Sequence, residues 1–374
     1  MSYTTTATEN TLKKWETNYF KEFVRESGFM PYMGTGSTNP FVVKKQLIEG
    51  GQVISIPLVY ALSGDGKGTD TLVGSEESLV NRGYDLKPFW HRHAVAMKKS
   101  EKQNSTIDLA NAARDMLKVW DMDTMRDDII NALSSVVESS GAYNELQGHA
   151  KEVPFSEATT TQKNTWAAAN STRIVPGATL NNYSATFATM AGNLDTTNDT
   201  LTVEKIQLMK RVAKKRDKTT GQASVRPIRT GEQGREYYVC FAHSYAMRDL
   251  AADMETINLD GRPRNIDDNP IFQDGDLLVD GVVVREIPEI SSYGNIGAAS
   301  ALVVPTYFCG AQALGIAWGQ MPRVTRRKED DYEFIDGVGT ESLYSVEKLR
   351  YVPPGGSSAV DYGMITGLFA TAAD

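Results

Sequence analysis

Cysteine is scarce in this sequence, since only Cys240 and Cys309 occur among 374 residues, and each lies within an apolar run. Two cysteines at this spacing cannot supply a structural zinc framework, which needs about four nitrogen or sulfur ligands. We therefore expect both residues to be buried free thiols in a protein of a reducing compartment, not the two halves of a disulfide.

Long apolar runs are absent as well. The mean hydropathy is −0.35, and no run approaches the roughly 18 residues that would cross a bilayer. The first residues, MSYTTTATENTLKKW, contain no apolar stretch of signal-peptide length, and Glu9 is atypical of a transit peptide. The 31 glycines and 14 prolines are an ordinary share, which excludes collagen-like and low-complexity classes. The expected class is a soluble globular protein without a targeting segment.

An excess of positive charge is also lacking. The chain has 39 basic and 47 acidic residues and a formal net charge of −8. Such a surface does not favour wrapping nucleic acid on all sides, although it allows a local basic patch. One candidate patch ends a predicted helix over residues 201–216, where we favour a solvated helix face over contact with nucleic-acid phosphates. Its members are Lys210, Arg211, Lys214, Lys215, Arg216 and Lys218.

The length is that of two or three domains, or of one domain with large excursions. Residues 1–50 predict an arm, in which residues 13–23 could form one amphipathic helix before Gly and Pro interrupt regular structure. Residues 52–60 alternate apolar and polar side chains, and residues 84–90 form the complementary strand. The polar, Gly-rich loop between them is unusually long, and such loops are usually functional. We expect this hairpin to contact a partner protein.

Residues 106–137 give the strongest helical pattern, because they contain neither Gly nor Pro and their apolar residues recur at helical spacing. Ser105 with Asp108 resembles a capping box. The helix would be roughly 48 Å long, and a kink near residues 121–124 is an open alternative to one continuous element. Residues 141–200 predict loops and short helices.

The chain from residue 236 onward alternates strands and helices. YYVCFAHS predicts a strand, YAMRDLAADM a helix and GVVVREIPEI a strand, while residues 301–319 predict a strand that runs into a helix-prone turn. Residues 323–371 predict strands with turns at Gly337, Gly339, Pro353 and Gly355. The mixture favours an α+β fold with two subdomains.

Signatures of enzymes and metal sites are mostly missing. Residues 64–69, GDGKGT, fail the phosphate-loop pattern because a glycine follows the lysine, so a flexible hairpin tip is preferred. His91 and His93 lie on one face of a predicted strand, but further ligands are not nearby in sequence, so a structural pair is favoured over a metal site. An acidic cluster lacks the spacing of an EF-hand. We therefore expect no catalytic residue, no cofactor and no metal. The cluster consists of Asp267, Asp268, Asp274 and Asp276.

A short segment places three basic residues directly before three acidic ones. A segment with adjoining positive and negative blocks (the two-sign segment) is complementary to a second copy of itself across a symmetry axis. The alternative is an ordinary surface loop without a function in binding. Both interpretations stay open. The residues are Arg326, Arg327, Lys328, Glu329, Asp330 and Asp331.

The order of these parts resembles the major capsid proteins of tailed bacteriophages with the Hong Kong 97-type fold. Two stretches carry the resemblance: RHAVAMKKSEKQNSTIDLANAARDMLKVWDMDTMRDDIINAL over residues 92–133, and GAQALGIAWGQMPRVTRRKEDDYEFIDGVGTESLYSVEKLRY over residues 310–351. The likeness extends over most of the chain from residue 52 onward and is weakest at residues 1–40 and 141–200.

The resemblance implies an α+β capsid fold with four parts. These are an N-terminal arm (residues 1–49), an extended loop (50–93), a peripheral domain with a long spine helix (94–200 and 300–374) and an axial domain (201–299). The extended loop would lie across an adjacent subunit, and residues 326–331 would lie in a peripheral loop at contacts between capsomers. Candidate contacts of the extended loop are Asp65, Lys67, Glu76 and Glu77.

The implied function is that of a non-enzymatic shell protein, whose hexamers and pentamers form an icosahedral phage head around double-stranded DNA. It would be a virion component assembled in the host cytoplasm. Implied partners are other copies of the chain, a portal protein and DNA held without sequence specificity, with scaffold and decoration proteins as further candidates and no membrane. A nanocompartment shell of the same fold, enclosing a cargo enzyme, is the first alternative. A small-molecule enzyme that uses His91, His93 and the acidic cluster is a distant second.

Overall fold

The chain folds into two main sheets, and one long helix lies against the first of them. The computed structural model describes residues 29–45, 53–59, 68, 71–73, 76, 81–106, 108–138, 152–216, 223–230, 235–260, 277–326, 334–353 and 358–372. The helices are α1 (Lys99–Asn104), α2 (Leu109–Ser134), α3 (Thr160–Ala169), α4 (Phe187–Gly192), α5 (Val203–Lys214) and α6 (Ser244–Asp260). The strands are β1 (Met33–Gly34), β2 (Phe41–Lys45), β3 (Ile54–Val59), β4 (Asn81–Leu86), β5 (Phe89–Lys98), β6 (Val137–Glu138), β7 (Glu152–Val153), β8 (Ile174–Pro176), β9 (Ile228–Thr230), β10 (Arg235–Ala242), β11 (Leu277–Val279), β12 (Val282–Glu286), β13 (Leu302–Cys309), β14 (Leu314–Arg326), β15 (Ile335–Lys348), β16 (Arg350–Tyr351), β17 (Val360–Asp361) and β18 (Met364–Thr371).

The first sheet has five strands in the order β1-β2-β14-β15-β5. β14 and β15 form a long antiparallel pair, and β2 lies parallel to β14 with Phe41 opposite Leu314. One face of this sheet packs against α2, where Met125, Ile129 and Leu133 are fully or almost fully buried. We call this face the inner face and the opposite one the outer face. Strands from the two ends of the chain therefore share one core.

The second sheet has the order β11-β12-β10-β13-β18-β8, with β9 paired to β10 as its seventh strand. α5 and α6 cover one side of it through buried side chains such as Ile206, Met209 and Leu250. β11 and β12 are joined by Asp280 and Gly281, whose φ angles of 46° and 74° suit the tight turn of a hairpin.

The two cysteines lie on neighbouring strands of this sheet but on opposite faces. Cys240 is opposite Phe308 in the ladder, whereas Cys309 is opposite Val239. Their side chains therefore point apart, and a disulfide between them would require backbone movement. Both thiols are buried and free, as the sequence predicts. Burial raises the pKa of Cys309 to about 12, which keeps this thiol protonated and unreactive.

The predicted long helix is present as α2, with corrected ends. Its N-cap is Asp108, whose carboxylate accepts hydrogen bonds from the backbone N–H groups of Ala110 and Asn111, and not Ser105. The alternative of a second helix start capped by Thr124 is wrong, because α2 is one helix through residues 121–124 and the Thr124 hydroxyl donates to the Trp120 carbonyl at 2.8 Å. Val137 lies beyond the helix, in β6.

The predicted hairpin is also present, as β3 paired with β4. Ile54 lies opposite Leu86 and Ile56 opposite Tyr84, and all four side chains are buried. The second strand does not continue to Trp90, because a break at residues 87–88 separates β4 from β5. Pro88 has no N–H group to give to a ladder, and Trp90 belongs to β5.

The strand predicted at the start of residues 301–319 is present as β13, but the helix-prone turn predicted after it is wrong, because the chain continues there as the strand β14 in the other sheet. The chain changes sheets at residues 310–313, where a β-carbon on Gly310 would lie 2.4 Å from the backbone oxygen of Arg226. The close packing of backbone against backbone determines where this segment leaves one sheet for the other, and the periodicity of the side chains does not report such packing. Gly337 and Gly339 are likewise inside β15 and not in turns.

Several other predicted elements are confirmed within the described residues. The helix predicted over residues 201–216 is α5, the strand YYVCFAHS is β10, and the helix YAMRDLAADM is part of α6. The strand predicted in GVVVREIPEI is the shorter β12, which ends before Pro288. Residues 152–200 contain loops and the short helices α3 and α4. The amphipathic helix predicted over residues 13–23 lies outside the described part of the chain.

Candidate assembly surfaces

The base of the β3–β4 hairpin is anchored on the outer face of the five-stranded sheet. Ile56 and Leu86 approach β14 so closely that a β-carbon on Gly315 would lie 2.8 Å from the Ile56 side chain. Ala317 and Leu349 complete this small core. Glycine at position 315 therefore permits the hairpin to lie flat against the sheet.

The described residues between β3 and β4 include exposed apolar side chains. Leu72 is 66% exposed and Val73 is 82% exposed, and Glu76 beside them is also exposed. Among the predicted loop contacts, Glu76 is the one that falls in the described residues, while Asp65, Lys67 and Glu77 lie outside them. These two exposed apolar side chains contribute nothing to the core of their own chain, and a neighbouring chain that covered them would remove their apolar surface from water.

The end of the β14–β15 pair carries a small ion cluster. Asp336 accepts from Lys102 at 3.1 Å and from Arg326 at 3.3 Å. The hydrogen bond from Arg326 and the nearby Lys102 hold the pKa of Asp336 below its usual value, although burial acts in the opposite direction. Of the predicted two-sign segment, the structure describes Arg326 and places it, exposed, in this cluster. Arg327, Lys328, Glu329, Asp330 and Asp331 lie outside the described residues.

A second polar and aromatic patch lies on the outer face, beyond the part that the hairpin covers. Trp90 is 47% exposed and pairs in the ladder with Leu343. Glu341, which is buried, contacts Arg92 at 3.7 Å and also Arg323. No motif in the sequence identifies this patch, although the alternation in FWHRHAVAMK places Trp90 and Arg92 on the face opposite the two histidines. Trp and Arg are the residue types most enriched at energetically important contacts.

The basic cluster of α5 is partly neutralised within the chain. Lys210 Nζ lies 3.0 Å from Asp280 Oδ2, and Lys214 Nζ lies 4.0 Å from Glu236 Oε2. Lys215 and Arg216 are exposed at the end of the helix, and Lys218 lies outside the described residues. The ion pairs agree with the favoured interpretation of a solvated helix face.

The two histidines of β5 both face α2, as their spacing predicts. His91 is buried and stacks on Tyr344 with ring centroids 4.0 Å apart, while the His93 ring lies 4.8 Å from that of Trp120. Within the described residues, no group of three or more His, Cys, Asp or Glu side chains could hold a metal ion. The acidic cluster at residues 267–276 lies outside them. The same described part of the chain has no helix long and apolar enough to cross a membrane.

Comparison with known proteins gives matches over almost the whole chain. A family model described as "Phage capsid protein" matches residues 3–372. The major capsid protein of Pseudomonas phage KPP25 is 25% identical over 363 residues, which cover 90% of this chain and 89% of that protein. The capsid asymmetric unit of cyanophage Pam1 matches with a TM-score of 0.78 and 31% identity, covering 100% of both chains. The capsid of Ralstonia phage GP4 matches with a TM-score of 0.66 and 19% identity, covering 91% of this chain and 90% of that one.

Proposed function

Because the chain belongs to the phage capsid protein family, we propose that its hexamers and pentamers build an icosahedral head that encloses double-stranded DNA. The chain is a phage major capsid protein, a virion component whose copies form the capsid shell. Its fold is the α+β Hong Kong 97-type capsid fold that the sequence predicted. The observation that carries the proposal is the full-length likeness to the capsid subunit of cyanophage Pam1.

The four-part division of the chain belongs to this proposal. Residues 1–49 would be the arm, 50–93 the extended loop, 94–200 with 300–374 the peripheral domain, and 201–299 the axial domain. The packing of α2 against β15 supports α2 as the spine of the peripheral part. The seven-stranded sheet crosses the proposed boundary, because β10, β11 and β12 lie in the axial range and β8, β13 and β18 in the peripheral range. The two parts would therefore be joined by a continuous sheet.

The extended loop would bind a neighbouring subunit through Asp65, Lys67, Glu76 and Glu77. The exposed Leu72 and Val73 support this role, because a neighbour would remove their apolar surface from water. The hairpin base, in contrast, is held by its own sheet. The loop can therefore be altered without disturbing the fold of the subunit.

We expect a variant in which a short Gly-Ser turn replaces residues 64–79 to fold normally but to form no closed shells. Both strands of the hairpin are kept, and loop-closure entropy changes slowly with loop length, so the free energy of unfolding should stay within about 1 kcal/mol of the original. Light scattering and negative-stain images of the heaviest fraction measure shell formation, with the unmodified chain as control. Normal shells from the shortened chain would contradict the assigned role of the loop.

The two-sign segment would join capsomers by pairing with its copy in another subunit. We expect Arg327→Glu with Lys328→Glu to reduce the yield of shells at least about tenfold, because like charges then face each other across the contact. Adding Asp330→Lys with Asp331→Lys reverses the net charge of both blocks, restores the complementarity, and should recover assembly. Sedimentation of assembled particles gives the yields. If the double variant at positions 327 and 328 assembles as well as the original, the pairing is wrong.

Further partners and the place of assembly are also proposals. A portal protein, scaffold and decoration proteins would bind the shell, and assembly would take place in the host cytoplasm. The net charge of −8 suits a shell around DNA, because a negatively charged protein does not bind the DNA phosphates tightly over its whole surface. The nucleic-acid content of purified particles separates the phage head from a nanocompartment shell, which would hold a protein cargo and no genome.

A further inference from the structure

An exposed patch with more cations than carboxylates lies on the outer face of the five-stranded sheet. We call it the Trp90 patch, and it consists of Trp90, Arg92, Arg323, Glu341 and Leu343. Glu341 lies 3.7 Å from Arg92 and also contacts Arg323. The Glu341 side chain is 11% exposed, whereas the side chains of Arg92 and Arg323 are 72% and 53% exposed. One buried carboxylate is therefore shared by two cations that face solvent.

The two guanidinium groups are arranged to bind a second anion. Arginine has five N–H donors and no acceptor. The contacts with Glu341 engage Nε of Arg92, and Nε and one terminal nitrogen of Arg323. The buried carboxylate holds both groups in position, and such preorganisation lowers the cost of binding. The chemistry of the patch therefore fits a partner that brings a carboxylate of its own.

The same excess of positive charge recurs at the end of the β14–β15 pair. Asp336 accepts from both Lys102 and Arg326, at 3.1 and 3.3 Å. Each of the two clusters therefore has two cations for one carboxylate, and Arg326 follows Arg323 closely on β14. In a chain with a net charge of −8, this end of the sheet is a locally positive surface. An acidic partner would be complementary to it.

The patch also exposes apolar surface beside a sheet edge. Trp90 is exposed and lies opposite the half-buried Leu343 in the ladder. Within the described residues, β5, which carries Trp90 and Arg92, is the last strand of its sheet. A second chain can therefore approach the patch from the side. A matching partner needs both apolar side chains and carboxylates.

The loop between β3 and β4 has this composition. Its described residues include the exposed Leu72, Val73 and Glu76, and residues 60–80 contain four acidic residues and one lysine. The base of the hairpin lies on the same outer face as the patch, at Gly315. Two copies related by a rotation axis perpendicular to this face carry loop and patch on the same side. A head-to-tail contact of this kind repeats around a ring.

We propose that the Trp90 patch of one subunit binds the loop between β3 and β4 of an adjacent subunit. Leu72 and Val73 then pack against Trp90. The loop carboxylates accept hydrogen bonds from Arg92 and Arg323. This inference rests on the proposed function, in which the loop binds a neighbouring subunit, and adds the surface that receives the loop. Phosphates of duplex DNA are the other anions that such donors bind, but they offer no apolar surface to the exposed tryptophan.

Cross-linking between two cysteine variants tests the contact. Thr71→Cys lies beside Leu72 in the loop, and Ala94→Cys lies on the outer face of β5, near Arg92. When separate chains that carry one variant each are co-assembled, a short bismaleimide should give a covalent dimer of twice the 41.1 kDa chain mass. The native cysteines are buried, so the unchanged chain should give no such product. Asp115→Cys, at an exposed position on α2, replaces Ala94→Cys in the control and should give no more dimer than the unchanged chain.

The outcomes separate this contact from the proposed function. Shells that form without the dimer between positions 71 and 94 would overturn the contact and leave the proposed function standing. An unchanged chain that stays a monomer would overturn both. Equal cross-linking at positions 94 and 115 would also overturn the contact, because the loop would then show no preference for the patch.

An exchange of charge tests the recognition chemistry, even if a cysteine variant fails to fold. Arg92→Glu should lower the yield of shells at least about tenfold, because carboxylates then oppose each other across the contact. Adding Glu76→Lys and Glu77→Lys to the same chain should restore the yield. Sedimentation measures the yield, and urea unfolding of the unassembled subunit identifies a loss that comes from misfolding. A folded triple variant that assembles no better than Arg92→Glu would overturn the proposal. Arg92→Glu shells that form normally but hold less DNA would overturn it in favour of phosphate binding.

Discussion

Asp361→Asn should lower the free energy of unfolding of the subunit by about 3–5 kcal/mol, because it leaves two buried cations without a carboxylate. Asp361 accepts from Lys348 at 3.2 Å and from Arg350 Nε at 3.1 Å. All three residues are at most 4% exposed. Both cations also donate to the Ser135 carbonyl at 2.8 Å, just beyond the end of α2. Urea unfolding of the unassembled subunit measures the loss.

The effect should depend on pH in a defined direction. Burial by itself would raise the pKa of Asp361, but the charges of Lys348 and Arg350 outweigh it and hold the pKa below its usual value. A carboxylate with a lowered pKa contributes stability above its ordinary pKa, and this contribution is lost as the pH falls through the lowered value. The difference between Asp361→Asn and the original chain should therefore shrink below about pH 4.

A surface ion pair provides the matched control. Glu236 lies 4.0 Å from Lys214, and both side chains are more than a third exposed. Glu236→Gln should change the free energy of unfolding by less than about 1 kcal/mol, because solvent screens the pair. A loss at Asp361 no larger than the loss at Glu236 would contradict the view that the buried cluster holds the end of α2 and the strands β15–β17 together.

Gly363→Ala should destabilise the subunit by about 3 kcal/mol or more, because the added methyl group has no space. A β-carbon at position 363 would lie 2.4 Å from the backbone oxygen of Gln312 and 2.6 Å from that of Ala311. These atoms belong to the crossing between the two sheets, and the Gly363 carbonyl accepts from the Gly310 N–H at 2.8 Å. Backbone atoms cannot move aside as a flexible side chain would. Soluble yield and the urea midpoint report the change.

Gly192→Ala is the corresponding control. Gly192 ends α4, and apart from its chain neighbours and the backbone of its own helix, no atom of the described residues lies within 4 Å of the position that its β-carbon would occupy. Alanine should leave stability unchanged or raise it by up to about 1 kcal/mol, since glycine has the greater conformational entropy in the unfolded chain. Equal losses for the two variants would mean that the sheet crossing tolerates a side chain at position 363.

The sequence predicts residues of the candidate assembly surfaces only where charge or exposure follows a local pattern. The loop between β3 and β4 is recognisable because it is long, polar and rich in glycine, and Arg326 because opposite charge blocks adjoin. No local pattern points to Asp336 and Lys102, since 234 residues separate them along the chain and only the fold brings them within 3.1 Å. The alternation places Trp90 in the second hairpin strand, but Trp90 lies in β5, and this position in the sheet gives its exposure on the outer face.

Local patterns in the sequence specify the type of most elements and the burial of both cysteines. Alternation identifies β3 and β4, and helical spacing identifies α2 and α5, because side-chain periodicity is a local property of the chain. The pairing of the strands, in contrast, follows from the folded chain as a whole. The fold places β2 beside β14, divides residues 302–326 between two sheets, and gathers Ser135, Lys348 and Asp361 into one buried cluster. Strand pairing depends on contacts between segments that are distant along the chain. A charged side chain can be buried only where those contacts place an opposite charge or a hydrogen-bonding group beside it.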